Sequence, residues 1–374
     1  MQSSIEGEKE QIYIIIIIII KEGIHFNTIM KPILLKGHTR ALTFVKYNKD
    51  GDLLFSCSKD NRPTLWMSDT GERVGTYEGH NGTVWGCDVT YDSKMLLTAS
   101  ADMSCKIFDV QTGQEIWTLD TPGPCRWVQW SEGSSSFAVF IDPFRGAQAQ
   151  IWFFKMPTSM DTSELSTQPY LVCQDQLGLN KERIIRGLWT PMNKEMLTGA
   201  EDGKLRLINP ETGDLINTYE AHTEQIQDMQ YNAEKTLLLT ASRDFTSKLF
   251  DAFSYECLMT FNTDRPINGA AIHPFKLHVM TGGGQDAMSV TTTAGQSGKF
   301  EARVFHMVYG DLMGLIKGHF GPINTLAIHP DGLSYVSGGE DGYIRLHHFD
   351  EEYLAIKDES DNLSDTANQL SGGK

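Results

Sequence analysis

The sequence predicts an all-β fold, a seven-bladed β-propeller, and the strongest reason is a repeated spacing of polar residues. Gly37-His38 is followed by Asp60, 22 residues after the histidine, and by Trp66, 28 residues after it. Three later units keep both offsets, and they are His80-Asp102-Phe108, His222-Asp244-Phe250 and His319-Asp341-His347. The interval of 42 residues from His38 to His80 indicates repeated supersecondary units, which bury their faces only against neighbouring units.

Each unit is predicted to contain four short strands separated by turns. In the first unit, residues 42–47 alternate between apolar and polar side chains, and the turn residues 48–51 follow them. Residues 53–56, 64–66 and 74–77 are the second, third and fourth strand-like runs. Four strands in about 42 residues are the content of one propeller blade.

Three less regular units raise the number of predicted blades from four to seven. The third unit has strand-like runs at residues 125–130, 137–140 and 150–153. The fourth has no leading histidine, and its landmarks are Asn180, Thr198, Asp202 and Ile208. The sixth is marked by Asp264, Asp286 and a third strand at 302–305. Two irregular connections, 156–179 and 287–300, are expected to project from the propeller, where insertions are natural partner-binding sites.

The predicted propeller occupies residues 30–350 and has a segment on either side. Residues 1–29 include seven consecutive isoleucines at 14–20, and this run is too short to cross a bilayer as a helix. We expect this leader to lie outside the fold, with Met30 as a candidate native start and an organelle-targeting leader as the alternative. Residues 351–374 are expected to form an acidic polar tail that is disordered towards its end.

Residues 31–35 are expected to close the ring. They stand where a fourth strand stands before each later Gly-His pair, although no earlier blade exists to which they could belong. Pairing with residues 343–347 in the last blade would remove the exposed edge that an open stack of sheets leaves.

The recurring polar residues are interpreted as buried structural relays. A hydroxyl residue precedes the acid by four positions in each of the four regular units. Histidine, hydroxyl, carboxylate and indole groups can satisfy one another's hydrogen bonds when they are buried together. The predicted relay residues are His38, Ser56, Asp60 and Trp66 in the first unit; His80, Thr98 and Asp102 in the second; His222, Thr240 and Asp244 in the fifth; and His319, Ser337 and Asp341 in the seventh. Because Phe108 and Phe250 lack a donor, the relays of their blades are expected to stop at the hydroxyl.

The alternative interpretation of a Ser-His-Asp set is a catalytic triad in an enzymatic propeller. Recurrence of the set in four units favours the structural interpretation. The sequence also lacks a metal-spaced cluster, a phosphate loop and a nucleophile elbow. We therefore predict that the protein is not an enzyme and that it needs no cofactor and no metal.

Composition narrows the class of partner. The formal net charge of −16 weighs against a primary grip on nucleic acid, which needs basic surface, and favours basic protein segments as partners. The six cysteines are scattered without a C-x-x-C pair, which is typical of reduced thiols in a cytosolic protein. We therefore expect a cytoplasmic protein with protein partners, without sequence-specific nucleic-acid binding and without membrane attachment.

At this level of detail the chain resembles WD-repeat propellers, and among them the family of subunit i of eukaryotic translation initiation factor three. The resemblance covers residues 30–349. The segments that carry it are 30–38, 51–55 and 59–60 in blade one, 263–268, 282–288 and 298–303 in blade six, and 317–324 and 338–343 in blade seven. The triple glycine 282–284 and the residues after it make this match more specific than a count of Gly-His pairs.

The resemblance implies a non-catalytic scaffold that docks the b and g subunits of the initiation factor complex. It implies support of messenger RNA recruitment and of scanning by the small ribosomal subunit, which the chain would contact indirectly. The b subunit is expected to offer a helix to the propeller, and the match nominates Asp228, Arg243 and Arg265 as contacts. The alternative for these three residues is that they are solvated surface charges. The alternative for the whole chain is a related WD-repeat adaptor that associates with receptor kinases.

Overall fold

The computed structural model describes residues 15–17, 28–30, 32–159, 162–174, 177–179, 181–284 and 300–356. The described chain contains seven four-stranded antiparallel sheets, so the predicted seven-bladed propeller is confirmed. A hairpin of β1 (Ile15–Ile17) and β2 (Thr28–Met30) lies outside these sheets. The predicted features that fall outside the described residues are the rest of the leader, Asn180, Asp286, the segment 287–299 and the tail 357–374.

The strands follow one another in chain order from blade to blade, after β3 (Ile33–Leu35). Blade one contains β4 (Leu42–Tyr47), β5 (Leu53–Ser58), β6 (Thr64–Met67) and β7 (Arg73–Thr76). Blade two contains β8 (Val84–Val89), β9 (Met95–Ser100), β10 (Ser104–Asp109) and β11 (Glu115–Asp120). Blade three contains β12 (Cys125–Trp130), β13 (Ser136–Ile141), β14 (Gln150–Lys155) and β15 (Leu171–Cys173).

The later blades repeat the same order. Blade four contains β16 (Ile184–Trp189), β17 (Met196–Ala200), β18 (Lys204–Ile208) and β19 (Leu215–Glu220). Blade five contains β20 (Ile226–Tyr231), β21 (Leu237–Ser242), β22 (Thr246–Asp251) and β23 (Cys257–Asn262). Blade six contains β24 (Ile267–Ile272), β25 (His278–Gly283), β26 (Glu301–His306) and β27 (Leu312–Lys317). Blade seven contains β28 (Ile323–Ile328), β29 (Ser334–Gly339) and β30 (Ile344–His348), and helix α1 (Glu351–Leu354) follows.

The order of the strands within a blade defines two faces of the propeller. The first strands of successive blades lie beside one another around the central channel. The turns between first and second strands and between third and fourth strands lie on one face, here called the lower face. The turns between second and third strands and the connections between blades lie on the opposite, upper face. The relay histidines and acids therefore belong to the upper face.

The predicted ring closure is confirmed. Strand β3 pairs antiparallel with β30 and supplies the fourth strand of blade seven, with Ile33 opposite Leu346 and Leu35 opposite Ile344. Leu35 is 2% exposed, so this short strand is buried as well as hydrogen-bonded. Closure covers the edge of β30, which otherwise offers unpaired backbone groups to other chains.

The core lies between the blades, where aromatic rings of one sheet fill space beside the next. Trp127 of blade three also reaches past blade two and meets Phe44 of blade one edge to face, with ring centroids 4.7 Å apart. The Trp127 ring also occupies the space that a Cβ would need at Gly86, and the Phe140 ring does the same at Gly187. Burying one such ring contributes about 1.5–3 kcal/mol. Glycine at 86 and 187 is therefore required by packing between blades.

Two expectations about irregular segments need correction. The connection at residues 156–179 contains β15, the outer strand of blade three, and a 3-10 turn at Thr162–Glu164, so it completes the blade instead of only projecting from it. The first residues of the expected tail, 351–354, form helix α1. Helix α1 is capped by Asp350, and Tyr353 is 4% exposed because it packs against Phe349 and His278.

Candidate functional site

The relay of blade one is complete in hydrogen bonds. His38 Nδ1 lies 2.9 Å from Asp60 Oδ2, and because a carboxylate only accepts, this ring nitrogen donates. His38 Nε2 then accepts from the hydroxyl of Ser56 at 2.7 Å, and Trp66 Nε1 donates to the Ser56 oxygen at 2.8 Å. Burial by itself raises the pKa of Asp60, but the hydrogen bonds from His38 and from the backbone N–H groups of Thr39 and Arg62 outweigh it and the pKa is lowered. The carboxylate is thus held in its charged form.

The relays of blades two and five end on the backbone. In blade two, His80 lies 3.0 Å from Asp102 and 2.8 Å from the hydroxyl of Thr98. That hydroxyl is also 3.2 Å from the carbonyl oxygen of Lys106, a contact that Ser56 repeats with Thr64 in blade one, but Phe108 supplies no donor in place of the Trp66 indole. Sequence reasoning missed a second hydroxyl, since Ser104 donates to Asp102 at 2.6 Å. The matching residues of blade five are His222, Asp244, Thr240, Lys248 and Thr246.

Arginine joins the histidine in the relay of blade seven and binds the acid of blade four. In blade seven, His319 bonds to Ser337 at 2.8 Å and to Asp341 at 3.2 Å, and Arg345 also donates to Asp341 at 2.8 Å. In blade four, Arg206 donates to Asp202 through two nitrogens, the first at 3.1 Å and the second at 2.5 Å. Both arginines stand four residues after the acid, a signal that was present in the sequence. The bidentate guanidinium of Arg206 neutralises the carboxylate of Asp202, whereas a neutral relay histidine only donates a hydrogen bond to its carboxylate.

The relay hydroxyls are closed to substrate. Ser56, Thr98 and Thr240 are each 0% exposed, so none can reach a reacting group in solution. Among the described residues there is no group of three or more His, Cys, Asp and Glu side chains that could hold a metal ion. Within the same residues, no helix has the length and apolar character needed to cross a membrane. The relays tie the upper loops to the sheets.

A ring of bulged residues lines the upper mouth of the central channel. The first strand of every blade shifts its register against the second strand between its first and third residues. The residue left over in each blade is Thr43, Trp85, Arg126, Ile185, Gln227, Asn268 or Asn324, and all seven line one cavity of about 190 Å³. A bulge re-aims its side chain and leaves it without a cross-strand partner. These positions were not singled out by sequence reasoning.

Charged pairs surround this cavity. Lys59 lies 2.8 Å from Glu340, and both residues line the cavity. Arg126 bonds to Asp142 through Nε at 3.0 Å and through Nη2 at 2.5 Å. Arg186, whose side chain is 9% exposed, lies 3.3 Å from a buried carboxylate, that of Asp228. Burial raises the pKa of both aspartates, because little water is left to stabilise their charge.

The three nominated partner-binding residues differ in how far they are exposed. Asp228 is 3% exposed and pairs with Arg186, so it is not a solvated surface charge. Arg243 lies on the upper face and lines the channel cavity. Arg265 lies on the upper face of blade six and pairs with Asp264 at 2.8 Å. Only the two arginines are placed to present charge at the surface.

The lower face carries exposed apolar side chains on neighbouring turns. Phe253 of blade five is 68% exposed, and Val308 and Tyr309 of blade six are 53% and 51% exposed. The blade-six turn lies against blade five, because a Cβ at Gly310 would come within 3.1 Å of the Met259 sulfur. We call Phe253, Val308 and Tyr309 the lower turn patch. Exposed apolar side chains that form a contiguous patch are typical of surfaces that bind protein partners.

Seven four-stranded blades with recurring His-Ser/Thr-Asp relays define a WD-repeat propeller, a class of fold that presents surfaces to other proteins. Comparison with known proteins agrees and is more specific. A sequence model of the family EIF3I matches residues 30–359. The chain is 44% identical over 333 residues to the protein named eukaryotic translation initiation factor 3 subunit I in Xenopus tropicalis, and 43% identical to the protein of that name in Homo sapiens.

Each of these two alignments covers 88% of this chain and 100% of the relative. The protein of the same name in Danio rerio is 42% identical over 325 residues, which are 87% of this chain and 98% of the relative. The chain therefore belongs to the family of subunit I of eukaryotic translation initiation factor 3, a translation initiation factor built as a WD-repeat propeller. The resemblance identified from blades one, six and seven is confirmed.

Proposed function

We propose that this chain is the docking scaffold for the b and g subunits within translation initiation factor 3, in the cytoplasm. Through these subunits it supports recruitment of messenger RNA and scanning by the small ribosomal subunit. The observation that carries the proposal is the family match across the whole propeller, from residue 30 to residue 359. The buried relay hydroxyls support a scaffold without catalysis of its own.

The helix of the b subunit is proposed to dock on the lower turn patch. A helix that binds in a groove needs apolar anchors on the receiving surface, and Phe253 and Tyr309 are aromatic and exposed on adjacent blades. The formal net charge of −16 favours a helix that carries basic residues beside its apolar stripe. The blade-six turn packs against the outer strand of blade five at Met259, which brings the two blades together beside such a helix.

The three charged residues that the resemblance nominated as contacts of the b helix take other roles in this proposal. Arg265 and Arg243 are proposed as charged contacts for the g subunit on the upper face. Asp228 is proposed to act indirectly, by holding the Arg186 guanidinium in the channel wall. Replacing Asp228 would leave a buried arginine without its carboxylate, and the damage would reach the surface through the fold.

Purified b and g subunits test the proposal directly. The full chain should bind both, and Phe253→Ser combined with Tyr309→Ser should weaken binding of b at least tenfold, equal to about 1.4 kcal/mol. Tyr91→Ser is the matched control, because Tyr91 is 56% exposed on the lower face of blade two. Arg265→Glu should weaken binding of g and spare b. Failure of either subunit to bind the parent chain would refute the scaffold, and capture of a receptor kinase instead would support the adaptor alternative.

Loss of b binding in the Tyr91→Ser control as well would refute only the proposed location. In that case the docking scaffold would stand and the lower turn patch would be the wrong surface. Circular dichroism of each variant separates loss of a contact from loss of the fold.

A further inference from the structure

Helix α1 forms one wall of an apolar cleft on the lower side of blade six. Strands β26 and β27 line this cleft with Val304, Met313 and Ile316, and the segment after β30 lines it with Phe349, Tyr353 and Ile356. No residue of the lining carries a charge, so the cleft suits an aliphatic group. Its volume is about 10 Å³, close to the ~10–15 Å³ that a water-sized group needs, so it accepts the end of one side chain.

Contacts with blade six hold α1 in place. The Tyr353 hydroxyl lies 2.8 Å from Nδ1 of His278 in β25. The Lys276 ammonium donates to the carbonyl oxygen of Leu354 at 3.0 Å and to that of Ile356 at 2.8 Å. Because this wall of the cleft is already ordered, a partner that binds against it does not have to supply the free energy of ordering it.

The rim of the cleft is open to solvent. Met313 on one wall and Ile356 on the other are only partly buried. The rings of Phe349 and Tyr353 are 6% and 4% exposed, so they form the floor. An incoming side chain would contact Met313 and Ile356 first and then pack on the two rings.

Acidic side chains flank the cleft. Asp311 stands two residues before Met313, and Glu351 is the first residue of α1. Glu256 lies on the lower turn of blade five. All three acids are exposed, and in the part of the chain that the structure describes none of them forms an ion pair. This rim therefore attracts basic side chains and disfavours acidic ones.

The cleft continues the lower turn patch. Val308 and Tyr309 lie in the turn that ends at Asp311, and β27 begins directly after this turn. The same turn packs against blade five through Gly310, whereas β27 faces α1 across the cleft. A line of apolar groups therefore runs from blade five across blade six to α1.

From these contacts we infer that α1 completes the docking surface for the helix of the b subunit. The cleft takes an aliphatic side chain of that helix, and Asp311 and Glu351 pair with basic side chains beside this anchor. An aromatic ring would exceed the volume of the cleft, so the anchor is a leucine, isoleucine or valine. The inference deepens the proposed docking on the lower turn patch and rests on it.

Binding of the purified b subunit to the full chain, measured by isothermal titration calorimetry, tests the role of α1. Met313→Ser removes an apolar wall of the cleft and should weaken binding at least fivefold. Glu351→Lys should also weaken binding at least fivefold, and this loss should shrink at high ionic strength because the contact is electrostatic. Asp311→Lys is the second charge variant, in case Glu351→Lys fails to fold.

Two matched controls lie elsewhere on the lower face. Met192→Ser removes a methionine of blade four that is 69% exposed. Asp50→Lys makes the same change of charge at an exposed turn of blade one. Both controls should bind b as tightly as the parent chain does. Melting curves of all variants separate a lost contact from a lost fold.

Unchanged binding by Met313→Ser, or by both charge variants, would overturn the inference. If Phe253→Ser combined with Tyr309→Ser still weakens binding in that case, the proposed function stands and only the role of α1 is wrong. Failure of the parent chain to bind b would refute both. Unchanged binding of b together with loss of self-association in Met313→Ser would assign the cleft to a second copy of the chain and would also overturn the inference.

Discussion

Removing the acid of the first relay by Asp60→Ala should destabilise the propeller through His38. The Asp60 carboxylate accepts from His38 Nδ1 at 2.9 Å, from the Thr39 backbone N–H at 2.9 Å and from the Arg62 backbone N–H at 3.2 Å. The His38 side chain is 1% exposed, so its ring N–H would find no water in place of the carboxylate. The two backbone donors lie in an exposed loop and can turn to solvent.

The expected magnitude follows from that difference in exposure. A hydrogen bond to a charged group contributes about 1.5–3 kcal/mol, and a buried donor without an acceptor costs about 1–3 kcal/mol. Because these two figures describe one loss in different ways, they are not added. With a small loss from the loop donors, the free energy of unfolding should fall by about 2–4 kcal/mol. In a chain of this size, each kcal/mol lost lowers the melting temperature by about 2 °C. The melting temperature should therefore fall by about 4–8 °C.

Urea unfolding followed by tryptophan fluorescence measures this change. Asp50→Ala is the control, since Asp50 is exposed on the lower turn of the same blade and its loss should stay within about 0.5 kcal/mol. The double variant with Ser56→Ala should lose less than the sum of the two single losses, because both residues act on the His38 ring. Equal stability of Asp60→Ala and the parent chain would refute the relay as a stabilising network, and strict additivity would refute its coupling.

Four further outcomes are expected. Trp66→Phe should cost only about 1 kcal/mol, because Ser56 can donate to His38 without the indole, and equality with Asp60→Ala in urea unfolding would contradict this. Deleting residues 1–29 should leave the melting temperature unchanged. Deletion through Leu35 should lower the melting temperature and expose the edge of β30 to aggregation, because it removes the closing strand. Equal melting temperatures of the two deletion variants would contradict ring closure. Burial lowers the pKa of His222 and His319, so the unfolded chain takes up protons at a higher pH than the folded chain. The free energy of unfolding should therefore fall as pH drops below about 6.5. A free energy of unfolding that stays constant from pH 7 to about pH 5 would contradict this. Tyr353→Ala should destabilise the chain by about 3–5 kcal/mol if the segment after β30 is part of the core, and Glu352→Ala, exposed on the same helix, is the control.

Sequence reasoning predicted the relays and the ring closure because both depend on fixed offsets. A polar network that is buried must place every partner at one distance along the chain, so His38, Ser56 and Asp60 leave a spacing that can be read without a structure. Closure was predictable from counting, since Leu35 belongs to a strand with no earlier blade. Structural features that do not require a particular residue type at a fixed position leave no recurring spacing in the sequence.

Three features of the structure were not predicted, because none of them leaves a fixed spacing in the sequence. Strand β15 is three residues long and follows a connection that begins at Met156, so no alternating run announces it. Asp228 looks like a surface charge in sequence because its partner, Arg186, is 42 residues away in the preceding blade. The helix after β30 had a local signal, an Asp350 cap followed by Glu351 and Glu352, but its burial depends on Tyr353 meeting blade six.

The bulge positions explain how one repeated fold can carry a specific surface. In the paired part of the inner strands, side chains must fit both the sheet and the next blade, as glycine at 86 and 187 shows. A bulged residue has no cross-strand partner, so its type can change without cost to the sheet. The seven bulge residues accordingly include an indole, a guanidinium, an aliphatic chain, a hydroxyl and three amides.

The exposed turns of the lower face have the same freedom, because only their ends are fixed by the strands. There the chain places the exposed apolar side chains of the lower turn patch, whereas the upper mouth is lined by amides and by charged pairs. Under the proposed scaffold function, two surfaces of different chemistry on opposite faces would let two partner segments bind at once without competing. The strands that run from one face to the other hold these two surfaces in place.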